Sequence, residues 1–198
     1  MPEPSQLEDV AWQERAFVTI SEKGGTDVDF EGFMSELSFS GGSKGVEGQP
    51  LMNGGRMTQY SSQEDFEFSA TLYITGVEPA EGTGIAKFFH GSDDQLSDTG
   101  QFEYEASLSR ADFRITCLWT EDSSVQSAVG EIASDQRAYR WIAEGAKLTD
   151  YEQSFDDQVL EVEVTFTIPP FGAEGAAKVR EQENLASGTA ALASLSSY

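Results

Sequence analysis

Carboxylates stand in close neighbours along this chain: Glu64 beside Asp65, Asp93 beside Asp94, Glu103 with Glu105, Asp156 beside Asp157, Glu161 with Glu163. Two carboxylates can hydrolyse a glycosidic bond when they face each other across a cleft and an apolar pocket raises one pKa. With 35 acids in 198 residues such neighbours arise by chance, and no spacing marks a cleft. The stretch 93–100 could offer oxygen ligands to Ca²⁺ from Asp93, Asp94 and Asp98. It lacks the D-x-D-x-D-G spacing and a glutamate at the twelfth position, so it reads as a solvated acidic loop. His90, the single histidine, ends a helical pattern where the helix dipole favours a cation, with no nucleophile or acid at triad spacing. Gly41-Gly42-Ser43-Lys44 lacks the spacing and the following helix of a phosphate-cradling loop. Cys117, the single cysteine, falls inside a strand pattern and reads as a small buried hydrophobe. The expectation is a protein that is not an enzyme and needs no cofactor or metal.

Charge narrows the classes further. Twelve Lys and Arg face 35 acids for a net charge of −23, and the acids are scattered rather than gathered in a tail. That is the surface of a protein working in strong salt, because at ~1 M the Debye length is about 3 Å and self-repulsion is screened. The same charge argues against ordinary nucleic-acid binding, which requires cations against phosphates. The opening MPEPSQLEDV has neither the basic nor the apolar region of a secretory signal. No apolar run approaches ~18 residues, so no membrane insertion is expected.

With no chemistry concentrated in one place, function falls to surfaces, and strands decide which surfaces. Over 65–76 (DFEFSATLYITG), Phe66, Phe68, Ala70, Leu72 and Ile74 share one parity, and Glu67, Ser69, Thr71, Tyr73 and Thr75 the other. Alternate side chains of a strand point to opposite faces, so one face is core and the other wetted. The plan repeats near the end: Leu160, Val162, Val164, Phe166 and Ile168 against Glu161, Glu163, Thr165 and Thr167, stopped by Pro169-Pro170. Further strands are expected at 15–21, 33–39, 57–60, 102–108 and 113–120, and at 139–149 with a bulge at Gly145. Ile85, Phe88 and Phe89 at i, i+3 and i+4 predict one short helix over 82–90. The stretch 41–56 (GGSKGVEGQPLMNGGR), with six glycines and a proline, is expected as a long loop. Loops of that length in a small domain are commonly functional, and its Leu51-Met52 pair points to docking. From residue 172 the chain turns Ala-, Gly- and Ser-rich and loses its period. The division is an N-terminal arm (1–14), one β domain (15–171) and a C-terminal tail (172–198). The fold class is mainly β: an antiparallel β-sandwich or partly rolled barrel with one short flanking α-helix.

The order of these parts resembles the major tail (tail tube) proteins of long-tailed viruses over roughly 15–172. The likeness rests on RAFVTIS, the long Gly-rich loop, a GGR run leading into QEDFEFSATLYITG, GIAKFFHG with its Phe pair, and the closing YRWIAEGAKLTDYE and DDQVLEVEVTFTIPP. The resemblance implies a virion protein in the tail, built in the host cytoplasm. It also implies six copies to a ring, with rings stacked into a tube through which DNA passes without specific binding. Tape measure, tail terminator and baseplate proteins would be its partners. With the salt-adapted charge, the host would be a halophilic archaeon. Within such a tube the channel-lining candidates are Glu67, Ser69, Thr71, Glu161, Glu163, Thr165 and Thr167, whose alternative is an ordinary outer surface. The inter-ring candidates are Lys44, Val46, Leu51 and Met52. The rival class is a non-polymerising β-sandwich module that binds a receptor or carbohydrate or decorates a capsid.

Overall fold

A computed structural model describes residues 15–25, 27–30, 34–50, 52, 55–74, 88–89, 111–156, 159–184 and 191–198. Among the described residues ten strands follow in order: β1 (Arg15–Glu22), β2 (Asp27–Asp29), β3 (Met34–Gly41), β4 (Lys44–Pro50), β5 (Arg56–Gln63), β6 (Phe66–Ile74), β7 (Phe113–Thr120), β8 (Ala138–Asp156), β9 (Val159–Ile168) and β10 (Val179–Asn184). Every pairing is antiparallel, in the order β2-β1-β7-β8-β9-β6-β3, with β10 also on β8 and β4-β5 standing apart.

The nineteen residues of β8 belong to both layers. Up to Ala146 they pair with β7 and β10, and from Lys147 onward with β9. The switch falls where Arg114 faces Glu144 but Phe113 faces Ala146, which leaves Gly145 bulged at φ 74°. Glycine has no Cβ to oppose that conformation, and a bulge is how a strand turns the corner from one sheet to the next. The chain thus makes a back sheet (β2, β1, β7, first half of β8, β10) and a front sheet (second half of β8, β9, β6, β3).

Their facing sides supply the core. Phe68, Leu72, Val162, Val164, Phe166 and Ile168 from the front meet Ile20, Phe113, Ile115, Cys117 and Trp141 from the back. Ring contacts bridge the layers: Trp141 lies 4.6 Å from Phe39 and 6.3 Å from Phe68, and Phe113 lies 5.5 Å from Phe166. Such pairs contribute about 0.5–1.5 kcal/mol each beyond their buried area. A smaller cluster of Phe17, Leu118, Val125, Ala128, Ile132, Ala138 and Leu192 covers the other side of the back sheet.

Two parts of the expected fold class are corrected. Among the described residues the sheet path ends at β2 and β3, which do not pair with each other, so these strands close no barrel. Among the described residues every element is a strand, and the flanking helix expected over 82–90 does not stand as one. Of that stretch only Phe88 and Phe89 are described, less than one helical turn, and both rings sit in the core against Phe30 and Phe113. Two adjacent rings wedged into a sandwich produce the same apolar spacing as a packed helix face. His90, the acidic loop 92–100, the strand expected at 102–108 and the arm 1–14 lie outside the described residues.

The Gly-rich stretch is more regular than its composition predicts. β4 and β5 form a ribbon in which Val46 faces Tyr60, Gly48 faces Thr58 and Pro50 faces Arg56. It prolongs the β3–β6 hairpin: Gly41 faces Phe66, Gly42 donates N–H to Asp65 at 3.3 Å, and Glu64 to Ser43 at 3.0 Å. Gly41 (φ 90°) and Gly42 (φ 69°) make the kink, and a Cβ on either would stand 2.2 Å from Asp65 O or the Phe66 ring. Main-chain pairing without a buried face leaves no alternation to read in the sequence.

Candidate functional site

The register places all seven lining candidates together on the wetted face of the front sheet. Glu67 faces Thr167, Ser69 faces Thr165, Thr71 faces Glu163, and Tyr73 faces Glu161. Outer strands extend each row. Ser40, Ser38 and Glu36 of β3 lie beside Glu67, Ser69 and Thr71, while Lys147, Asp150, Glu152 and Ser154 of β8 lie beside Thr167, Thr165, Glu163 and Glu161. Hydroxyls knit the centre: Ser38 and Ser69 are 2.8 Å apart, and Thr149 donates to Thr165 O at 3.1 Å. Glu152 directly opposes Glu163, a like-charge pair that weakens a ladder unless salt screens it. The one cation among these rows, Lys147, is taken up by Asp112 in an ion pair. A depression of about 110 Å³ lined by Glu36, Ser38, Ser69, Thr71 and Glu163 is well below the ~300–1,000 Å³ that small-molecule sites occupy.

Two edges of this sheet are open among the described residues. β3 pairs only with β6, and the second half of β8 pairs only with β9. Beyond one end stands the ribbon. Lys44 and Val46 are exposed on it, with Val46 and Tyr60 sharing a face, and Met52 is fully exposed at its tip. Leu51, the fourth inter-ring candidate, lies outside the described residues. Phe155 is 73% exposed at the opposite end of the sheet, where it faces Leu160. The sequence reading passed over β3, the second half of β8 and Phe155 as contributors. The polar parity of Glu36 and Ser38 was a usable signal; Phe155 had none.

Among the described residues no group of His, Cys, Asp and Glu is placed to hold a metal ion. Cys117 is fully buried, and burial pushes its thiol well above the ordinary range, away from the nucleophilic thiolate. Burial likewise pulls the Arg140 guanidinium down to about 10. What the site can do is pair strands, present acid and hydroxyl groups to water, and reach outward with apolar side chains.

No family profile matches the chain, and no curated protein matches it. Among solved structures it is similar to the sheath–tube complex of an extracellular contractile injection system in its extended state. There the identity is 13% over 92% of this chain and 99% of that one, with a TM-score of 0.49. It is also similar to the sheath/tube terminator of that kind of system, at 14% identity over 83% and 92%, with a TM-score of 0.47. A third likeness is to an anti-feeding prophage tube-terminating cap, at 12% identity over 84% and 87%, with a TM-score of 0.44.

Proposed function

We propose that this protein is a structural subunit that polymerises through the edges of its front sheet into rings, and through its ribbon into a stacked tube. The carrying observation is the pair of open edges on one four-stranded sheet. Strand direction alternates across β8, β9, β6 and β3, so the two outer strands run oppositely. Copies related by rotation therefore join β3 of one to β8 of the next as an antiparallel pair, leaving the alternation unbroken. A heterologous contact of this kind forms a closed ring when the rotation closes, and closure removes the exposed edges.

The sequence resemblance supplies six copies per ring. Six such sheets make a wall of about 24 strands, which at ~4.8 Å per strand has a diameter of ~37 Å before strand tilt widens it. Side chains on the inside of that wall leave a bore that clears a nucleic-acid duplex. With the wetted face inward, Glu67, Glu161 and Glu163 among their hydroxyl neighbours repel phosphate and let DNA slide. In this reading the tube is the tail of a virus of a halophilic archaeon, ended by terminator and baseplate proteins and filled by a tape measure before DNA enters. Lys44, Val46, Leu51 and Met52 then contact the adjacent ring.

Electron microscopy of the purified protein in molar salt tests the reading. Rings or tubes are expected. Discrete monomers at every protein and salt concentration would overturn it.

A further inference from the structure

The large apolar side chains left exposed on this chain divide between two ends of one sheet. Among the described residues, Val46, Met52, Met57 and Tyr60 belong to the ribbon and its tip. Phe39 and Phe171 flank the ribbon's root, close to the pairs Gly41–Phe66 and Phe66–Ile168. Phe155 stands apart at the far end of β6, where Ile74 faces Leu160 and Leu160 faces Phe155. Leu160 shares its parity with the buried Val162, so Phe155 lies on the core-facing side of the sheet and yet is uncovered.

The ribbon has two unlike faces. Alternate residues of a strand share a side, so the pairs Val46–Tyr60, Gly48–Thr58 and Pro50–Arg56 present one face, while Glu47 with Gln59 belongs to the other. The first face is apolar and cationic, without an acid. It is also open at its centre: a Cβ on Gly48 would meet only Arg56 Cδ, at 4.0 Å. Gly48 is not among the glycines at positive φ, so its bare backbone serves close approach rather than a turn. A glycine floor between Tyr60 and Arg56 is a seat for a flat ring, with an aromatic neighbour on one side and a cation on the other.

Charge pairs the same two ends. Residues 41–63 hold Lys44 and Arg56 against one acid, Glu47, whereas residues 148–168, which carry Phe155, hold six acids and no Lys or Arg. In a chain of net charge −23, bringing these two segments together is attractive where most other pairings of surface repel. One chain does not make the contact by itself, since Tyr60 is 65% and Phe155 73% exposed in the same molecule. We propose that Phe155 of one copy seats over Gly48 on the ribbon of a copy in the next ring, between Tyr60 and Arg56. Because ribbon and Phe155 lie at opposite ends of the sheet, the contact is heterologous and repeats head to tail with one polarity. The proposal rests on the reading that rings stack through the ribbon, and names the surface that receives it.

Two full-length variants test it in molar salt. Gly48→Val fills the seat while favouring the strand, and Phe155→Ser removes the ring from an exposed position. Each variant alone is expected to melt as the wild type does and to form rings that do not stack. Mixed, the two kinds of ring should pair: the intact ribbon of Phe155→Ser meets the intact Phe155 of Gly48→Val, and each pair is blocked at both outer ends. Microscopy and sedimentation should then show pairs of rings and no tubes, which also verifies that both variants fold. If Gly48→Val does not fold, Arg56→Glu takes its place in the mixture with the same expectation. Tubes from either variant alone overturn the contact while stacking stands. A mixture that remains single rings, under conditions where the wild type gives tubes, overturns it as well. Wild-type protein that never stacks overturns the assembly reading and the contact with it.

Discussion

Cys117 is a packing residue whose titration leaves a mark on stability. The folded chain keeps its thiol proton at pH values where the unfolded chain, with a pKa near 9.0, has lost it. Its contribution is therefore complete below about pH 9 and declines as pH rises above it. Above that point wild-type stability should fall with pH more steeply than that of Cys117→Ala, by up to ~1.4 kcal/mol per unit. Denaturant melts of both proteins between pH 8 and 10.5 check this, and a thiol reagent at pH 8 should label the wild type only after unfolding. The acids of the wetted face behave differently. Glu163 is exposed and Glu161 half-exposed, so replacing both by Lys should leave the fold intact and even relieve the Glu152–Glu163 repulsion. In a tube it would put up to twelve cations on the bore and slow DNA passage, measured as ejection rate against salt. Unchanged ejection kinetics would place that face on the outside.

The ribbon is an element without a fold of its own to serve: β4 is exposed throughout, as is β5 up to Gln63. A two-stranded ribbon alone is at best marginally stable in water, and in the proposed tube the adjacent ring would give it a surface to lie on. Deleting 43–53 should change the melting temperature little while abolishing stacking of rings, read by sedimentation and microscopy. Tubes of normal length from the deleted protein would make the ribbon a bystander. Its pairing could not be read from GGSKGVEGQP, since ladder bonds between exposed strands impose no side-chain period. Where a strand has a core face the period is decisive: the parities over 66–73 and 160–168 are those of β6 and β9, and the bulge stands at Gly145 as the pattern expects. Parity gives a face but never a neighbour. That Thr71 lies across from Glu163, on a strand some ninety residues later, is a fact of pairing, and the candidate rows became a surface only with the register. The helix reading failed for a related reason, because two adjacent buried rings supply the i+3 and i+4 positions of a helix face whether or not a helix carries them.

At the scale of the molecule, charge and topology act together. A net charge of −23 per chain, multiplied in each ring of the proposed tube, would be tolerable only when screened. The melting temperature should drop steeply between ~3 M and 0.1 M salt, and assembly should be lost before the fold. A melt indifferent to salt would remove the halophile argument. The pairing pattern also sets an order of events in time. β3 with β6 and β8 with β9 join strands close in the chain, so those hairpins close cheaply and early. β1 has to wait: Phe17 meets Leu118 across about a hundred residues of intervening chain. During that wait the local hairpins β3–β6, β7–β8 and β8–β9 can close, while the β1 edge of β7 and the seam between β6 and β9 stay unpaired. A chain that has not yet made those two long-range seams exposes strand edges to other copies, and finished subunits are expected to accumulate only as fast as the seams close.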